Sequence, residues 1–149
     1  MIRVERHVAA TPQDVWAVLA DGWLYALWVV GATSLRDVEE SWPAEGARIH
    51  HSVGAWPAVV HDATKVLEVE PERMLYLRAA LWPAGEANVR MTLAPDGDGT
   101  RVVMEEEVAS GPMALIPKLA YGPLLKWRNV ESTRRLANLA ENGAARRSG

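Results

Sequence analysis

From the first residues, apolar and polar positions alternate: Ile2, Val4 and Val8 fall on one side, Arg3, Glu5 and His7 on the other. A period of two marks a half-buried strand over Ile2 to Ala9. Thr11-Pro12-Gln13-Asp14 then reads as a helix start, with Thr11 as N-cap and Pro12 at the first helical position. Val15, Trp16, Val18 and Leu19 give this helix an apolar face, and Asp21-Gly22 breaks it. A second short helical stretch runs from Trp23 to about Trp28 and stops near Gly31. Beyond it the period returns to two. Strands are predicted over Ala32 to Glu40, Arg48 to Ala55, Val59 to Glu70, Arg73 to Leu81, Glu86 to Ala94 and Thr100 to Ala109. Asp96-Gly97-Asp98-Gly99, between the last two, is a hairpin signal. Short strands punctuated by turn residues argue for one antiparallel meander.

Ser110-Gly111-Pro112 closes the sheet, and the apolar stretch Met113 to Gly122, interrupted by Pro117 and Gly122, reads as a linking segment. Pro123 is placed to open the last helix at its first position. Trp127, Val130, Ala137 and Ala140, with Leu136 and Leu139 beside them, form its expected apolar stripe. Asn142-Gly143 is the stop. The expected fold class is therefore α+β. A curved antiparallel sheet of six to seven strands wraps around a long C-terminal helix, with two short helices after the first strand. One domain over residues 1–142 and a flexible tail over 143–149 are expected. A sheet curled around one helix leaves space at its open end, so an apolar cavity between the two is expected.

Composition narrows the classes. With 149 residues, 49% apolar and 23% charged, the chain suits one globular domain. It has no cysteine, which excludes a disulfide framework, thiolate metal site or cysteine nucleophile. The charged start Arg3, Glu5, Arg6 is unlike a signal peptide, and the run Trp23 to Ala32 is too short to span a bilayer. A cytoplasmic location and no membrane span are the expectation. Net charge is −3 with no basic stripe, which argues against a nucleic-acid partner and leaves a homodimer open. Seven tryptophans, three tyrosines and no phenylalanine suit a bulky core or an aromatic-lined pocket.

Several segments carry a resemblance. Val4 to Val8 followed by Ala10-Thr11-Pro12-Gln13-Asp14-Val15-Trp16 resembles the opening strand and helix entry of the START-like superfamily, also called SRPBCC or helix-grip proteins. Val66-Leu67-Glu68-Val69-Glu70-Pro71-Glu72-Arg73-Met74-Leu75 is similar to its strand, proline turn and strand, and Gly99-Thr100-Arg101-Val102 to the start of its last strand. The resemblance covers the chain to about residue 141 and implies a helix-grip fold with an apolar cavity. The superfamily includes lipid and sterol carriers, hormone receptors and polyketide aromatases/cyclases. None of the matching segments is a catalytic signature.

Strand parity nominates site residues. His51 sits among Ile49, Val53 and Ala55, as a general acid/base or as a core histidine bonded to backbone. Glu106 shares a face with Val102, Met104 and Val108 and points into the cavity unless a bulge turns it outward. His61 groups with Val59, Ala63, Leu67 and Val69, which favours an inward position. Arg78 lies between two apolar faces; inward it would clamp a ligand carboxylate or pair with Glu106, outward it is a solvated arginine. Trp28, Trp56, Met91, Met104 and Tyr121 complete the expected ligand-binding set, with His51, His61 and Glu106 as the catalytic candidates. Trp127 is expected in the core. His50 and His51 are adjacent on a strand and point apart, no acidic cluster appears, and Gly97 and Gly99 lie in a hairpin rather than a phosphate loop. No metal or cofactor is therefore expected.

The expected function is binding of a small hydrophobic or aromatic molecule. A polyketide aromatase/cyclase or dehydratase using cavity His and Glu as acid and base is the alternative. A protein-docking accessory module, which requires an exposed apolar patch, is the second.

Overall fold

The computed structural model describes residues 1–30, 34–53, 57, 60–80 and 85–143. Strand β1 (Ile2–Val8) buries Val4 and Val8. Helix α1 (Pro12–Ala20) starts as the capping pattern requires: Thr11 Oγ1 accepts from the Asp14 amide at 3.1 Å and Pro12 occupies the first turn. Asp21 ends it and caps a 3₁₀ turn, Gly22–Leu24, that leads into the one-turn helix α2 (Tyr25–Trp28). Strands β2 (Ser34–Val38), β3 (Arg48–Val53), β4 (Val60–Glu70), β5 (Met74–Ala80), β6 (Glu86–Asp96) and β7 (Gly99–Ser110) follow. After a 3₁₀ turn at Pro112–Leu115 comes the long helix α3 (Lys118–Glu141).

All strand pairs are antiparallel, in the order β1-β7-β6-β5-β4-β3-β2. The expected meander is present, and β1 closes it by pairing with β7, Ile2 opposite Glu106 and Val8 opposite Thr100. Helix α3 packs on β1, α1 and α2. Ile49, Val66, Leu75, Leu77, Val89, Met91, Val102 and Met104 from the sheet, Val15, Val18 and Leu19 from α1, and Leu136 and Ala140 from α3 form one core. The fold is the expected α+β helix grip.

Two expectations about α3 are corrected. Pro123 lies inside the helix, which already begins at Lys118. Pro123 has no N–H for the Leu119 carbonyl, so the helix lacks that bond. The buried stripe runs through Gly122, Leu125, Asn129, Ser132, Thr133, Leu136, Ala137 and Ala140, whereas Trp127 and Val130 are exposed. The helix thus buries polar side chains along its middle and exposes large apolar ones on its outer face. The expected stripe holds at Leu136, Ala137 and Ala140 and fails at Trp127 and Val130.

Candidate functional site

The polar side chains that α3 buries meet others from the sheet. Glu106 projects inward from β7, 1% exposed. Arg128 Nη1 donates to both Glu106 carboxylate oxygens at 3.2 and 3.1 Å, and Asn129 Nδ2 donates to Oε1 at 2.9 Å. Arg128 Nε donates to the Val30 carbonyl at 2.8 Å, and the Val30 amide donates to Ser132 Oγ at 3.0 Å. The segment leaving α2 is thereby tied to the same face of α3.

A second group lies on the β3–β4 side. Alternation along β3 brings His51 inward beside Ile49, whose cross-strand partner is Thr64. His51 Nε2 lies 3.0 Å from Thr64 Oγ1, which also accepts from the Ala80 amide at 3.3 Å. The buried Tyr25 hydroxyl bonds the Thr64 side chain as well. Thr64 has one hydroxyl proton to give, to His51 Nε2 or to the Tyr25 oxygen, and the His51 tautomer follows that choice. The Tyr25 ring stands edge-on to Trp28, centroids 5.5 Å apart, and tilted against His51 at 5.6 Å.

Burial pushes the His51 pKa below its ordinary value, opposed by the Asp62 charge. Burial pushes the Tyr25 phenol up, countered by its bond to Thr64 and by the positive charge of Arg128. The negative charge of Glu106 adds to the rise.

One atom among these side chains lacks a partner. Asn129 Oδ1 is buried and meets no donor among the described residues. Its orientation is fixed, because turning the amide over would set oxygen against the Glu106 carboxylate. An unmet buried acceptor costs about 1–3 kcal/mol, so a donor belongs there.

Of the nominated residues, His51, Glu106, Trp28, Met91 and Met104 are buried. Tyr121 is half-buried on α3. His61 is corrected: it is exposed on the outer face. The register of β4 against β5 shifts between Val66 and Glu68, so the inward positions are Thr64 and Val66 before the shift and Val69 after it. Grouping His61 with Val69 crossed that bulge. Arg78 is corrected to the outer face as well, where it pairs across the sheet with Lys65 and Asn88 and donates to Asn88 Oδ1 at 3.1 Å. Trp56 lies outside the described residues. Thr64, Arg128 and Asn129 were not nominated. The spacing Leu125, Asn129, Ser132, Leu136 would have exposed Asn129, had polar residues been allowed on the buried stripe; no local pattern singles out Thr64 or Arg128. Among the described residues no helix is long and apolar enough to cross a membrane, and no group of His, Asp and Glu suits a metal ion.

No curated protein sequence matches the chain. Among solved structures, a Nitrosomonas europaea protein is similar with a TM-score of 0.69 and 18% identity, over 95% of this chain and 94% of its own. A Rhodobacter sphaeroides protein is 26% identical over 95% of this chain and 93% of its own, with a TM-score of 0.67. The di-domain ARO/CYC StfQ from the steffimycin biosynthetic pathway is 13% identical with a TM-score of 0.69; the match covers 96% of this chain and 51% of the di-domain. The first and third of these likenesses speak to the fold. Over residues 1–142 the chain matches the family described as polyketide cyclase / dehydrase and lipid transport, and it belongs to that family.

Proposed function

We propose that this protein binds a small, mainly apolar or aromatic molecule between the sheet and α3, one that offers an O–H or N–H to Asn129. The unmet Asn129 Oδ1 carries the reading. An amide held rigid by Glu106 and Arg128 is a pre-oriented acceptor. Val89, opposite Glu106 in the sheet, and the nearby Leu77, Met91 and Met104 are apolar and buried, and methionine adapts readily to irregular ligand shapes. The test is a pair of probes, 2-naphthol and 2-methylnaphthalene, titrated calorimetrically. Wild type should prefer 2-naphthol about tenfold, the worth of one good hydrogen bond to an otherwise unmet acceptor. In Asn129→Leu the preference should vanish. Equal binding of both probes to the wild type would sink the reading.

The Tyr25–Thr64–His51 chain favours a second reading, a polyketide aromatase, cyclase or dehydratase. Tyr25 would take a substrate proton as its own passes through Thr64 to neutral His51, an acid–base arrangement suited to aldol closure and water loss. Tyr25→Phe and His51→Gln should then each abolish turnover of a poly-β-ketothioester while leaving its binding intact.

A further inference from the structure

The outer face of α3 is built the wrong way round for a helix that meets only water. Away from the buried line Gly122, Leu125, Asn129 stand Leu119, 93% exposed, Leu124, 61%, and Trp127, 62%. Just before the helix, Leu115 is 88% exposed and Ile116 is 45% exposed. Solvated helix faces carry charged and polar side chains, and a cluster of exposed leucines beside a tryptophan marks a contact surface.

Charge identifies the contact. From Val108 to Val130 the chain has no aspartate or glutamate, although the whole molecule is net negative. The exposed cations of this stretch are Lys126 and Lys118, whose ammonium donates to the Met1 carbonyl at 3.0 Å. The third, Arg128, is turned inward onto Glu106. Glu131, the next carboxylate along the helix, is held by Arg134 and Arg135. Apolar side chains flanked by lysines, with a tryptophan among them, match the chemistry of an anionic bilayer surface. The leucines enter the acyl boundary, the indole sits at headgroup level, and the lysine stems lie along the apolar layer with their ammonium groups on the phosphates. A two-fold contact with a second copy fits less well. It would set this face against itself, lysine towards lysine, with no carboxylate in the segment to pair them.

We propose that the outer face of α3, with the Pro112–Leu115 turn and Ile116, is a docking surface for an anionic membrane. The interior cluster is not part of this surface, so the inference stands apart from the ligand reading. The test is co-sedimentation of the full chain with vesicles of phosphatidylcholine alone and with about one-third phosphatidylglycerol. The wild type should pellet with the anionic vesicles, weakly or not at all with the neutral ones, and less as salt is raised. Each lysine near an anionic surface contributes roughly fivefold in partitioning, so Lys118→Glu with Lys126→Glu should reduce binding by at least about 25-fold. Leu119→Asp should remove most of what remains. These side chains are exposed and only Lys118 bonds another residue, the Met1 carbonyl, so circular dichroism and melting should be nearly unchanged, and a variant that fails this check is replaced by Leu119→Ser. Absence of binding to anionic vesicles, or binding indifferent to these variants, overturns the proposal. So does a wild-type dimer that Leu119→Asp dissociates, or a protein partner that competes with no vesicle.

Discussion

Glu106 has no exposed side-chain surface and Arg128 only 15%, so each needs the other. Removing one member of such a pair leaves the other buried and unmatched. Arg128→Met should cost about 3–5 kcal/mol in urea unfolding, since the carboxylate would keep only Asn129 as a partner. Glu106→Leu should be comparably harmful, and the double variant far less harmful than the sum of the two, because it removes both charges together. Additive losses in this cycle would show that the pair is not coupled. His51 gives a second test at this scale. Its folded pKa lies below the ordinary 6.5, so burial favours the neutral ring. As pH falls through about 6.5 the unfolded chain takes the proton first, and stability declines until the folded state protonates too. Urea midpoints measured between about pH 7.5 and 5.5 should fall in the wild type, with a shallower slope in His51→Gln.

At the scale of elements, the meeting of β1, β6 and β7 depends on a residue with no side chain. A Cβ on Gly99 would lie 2.2 Å from the Val8 carbonyl oxygen, so the hairpin start and the end of β1 cannot both keep their places. Gly99→Ala should cost about 1–3 kcal/mol by chemical denaturation, with the loss of amide protection concentrated at the β1–β7 seam. An unchanged midpoint would mean that the seam yields freely. Element by element, the strands were legible because alternation and turn residues agree: His51 and Glu106 fall on the interior face that parity assigned them. Where two signals conflicted, the reading failed. The bulge at Val66/Glu68 reverses parity within β4 and moved His61 outward. In α3, Pro123 looks like a start but stands one turn inside. Its interior stripe carries polar residues because they meet distant partners, Asn129 with Glu106, Ser132 with Val30 and Thr133 with Arg6, which local periodicity does not see. The apolar half of the site was visible in the sequence; the pairing of α3 with β7 needed three dimensions.

Across the whole molecule, the two ends of the chain support each other. Strand β1 lies at a sheet edge against β7, and Arg6 reaches from it to Thr133 Oγ1 and the Val130 carbonyl on α3, both at 3.2 Å. The Ala9 amide adds a bond to Glu141 Oε2 at 2.9 Å. Contacts of such sequence separation are slow to form, because a long loop must close before any of them stabilises the fold. The consequence reaches back to synthesis. Strand β1 leaves the ribosome first, but β7 follows roughly 100 residues later, or about 5–20 s at ordinary elongation rates. Throughout that interval Val4 and Val8 wait without a neighbour, in a nascent chain that cannot complete its sheet. Arg3, Glu5, Arg6 and His7, interleaved with them, are the kind of charged gatekeepers that keep an idle strand from pairing with another nascent chain.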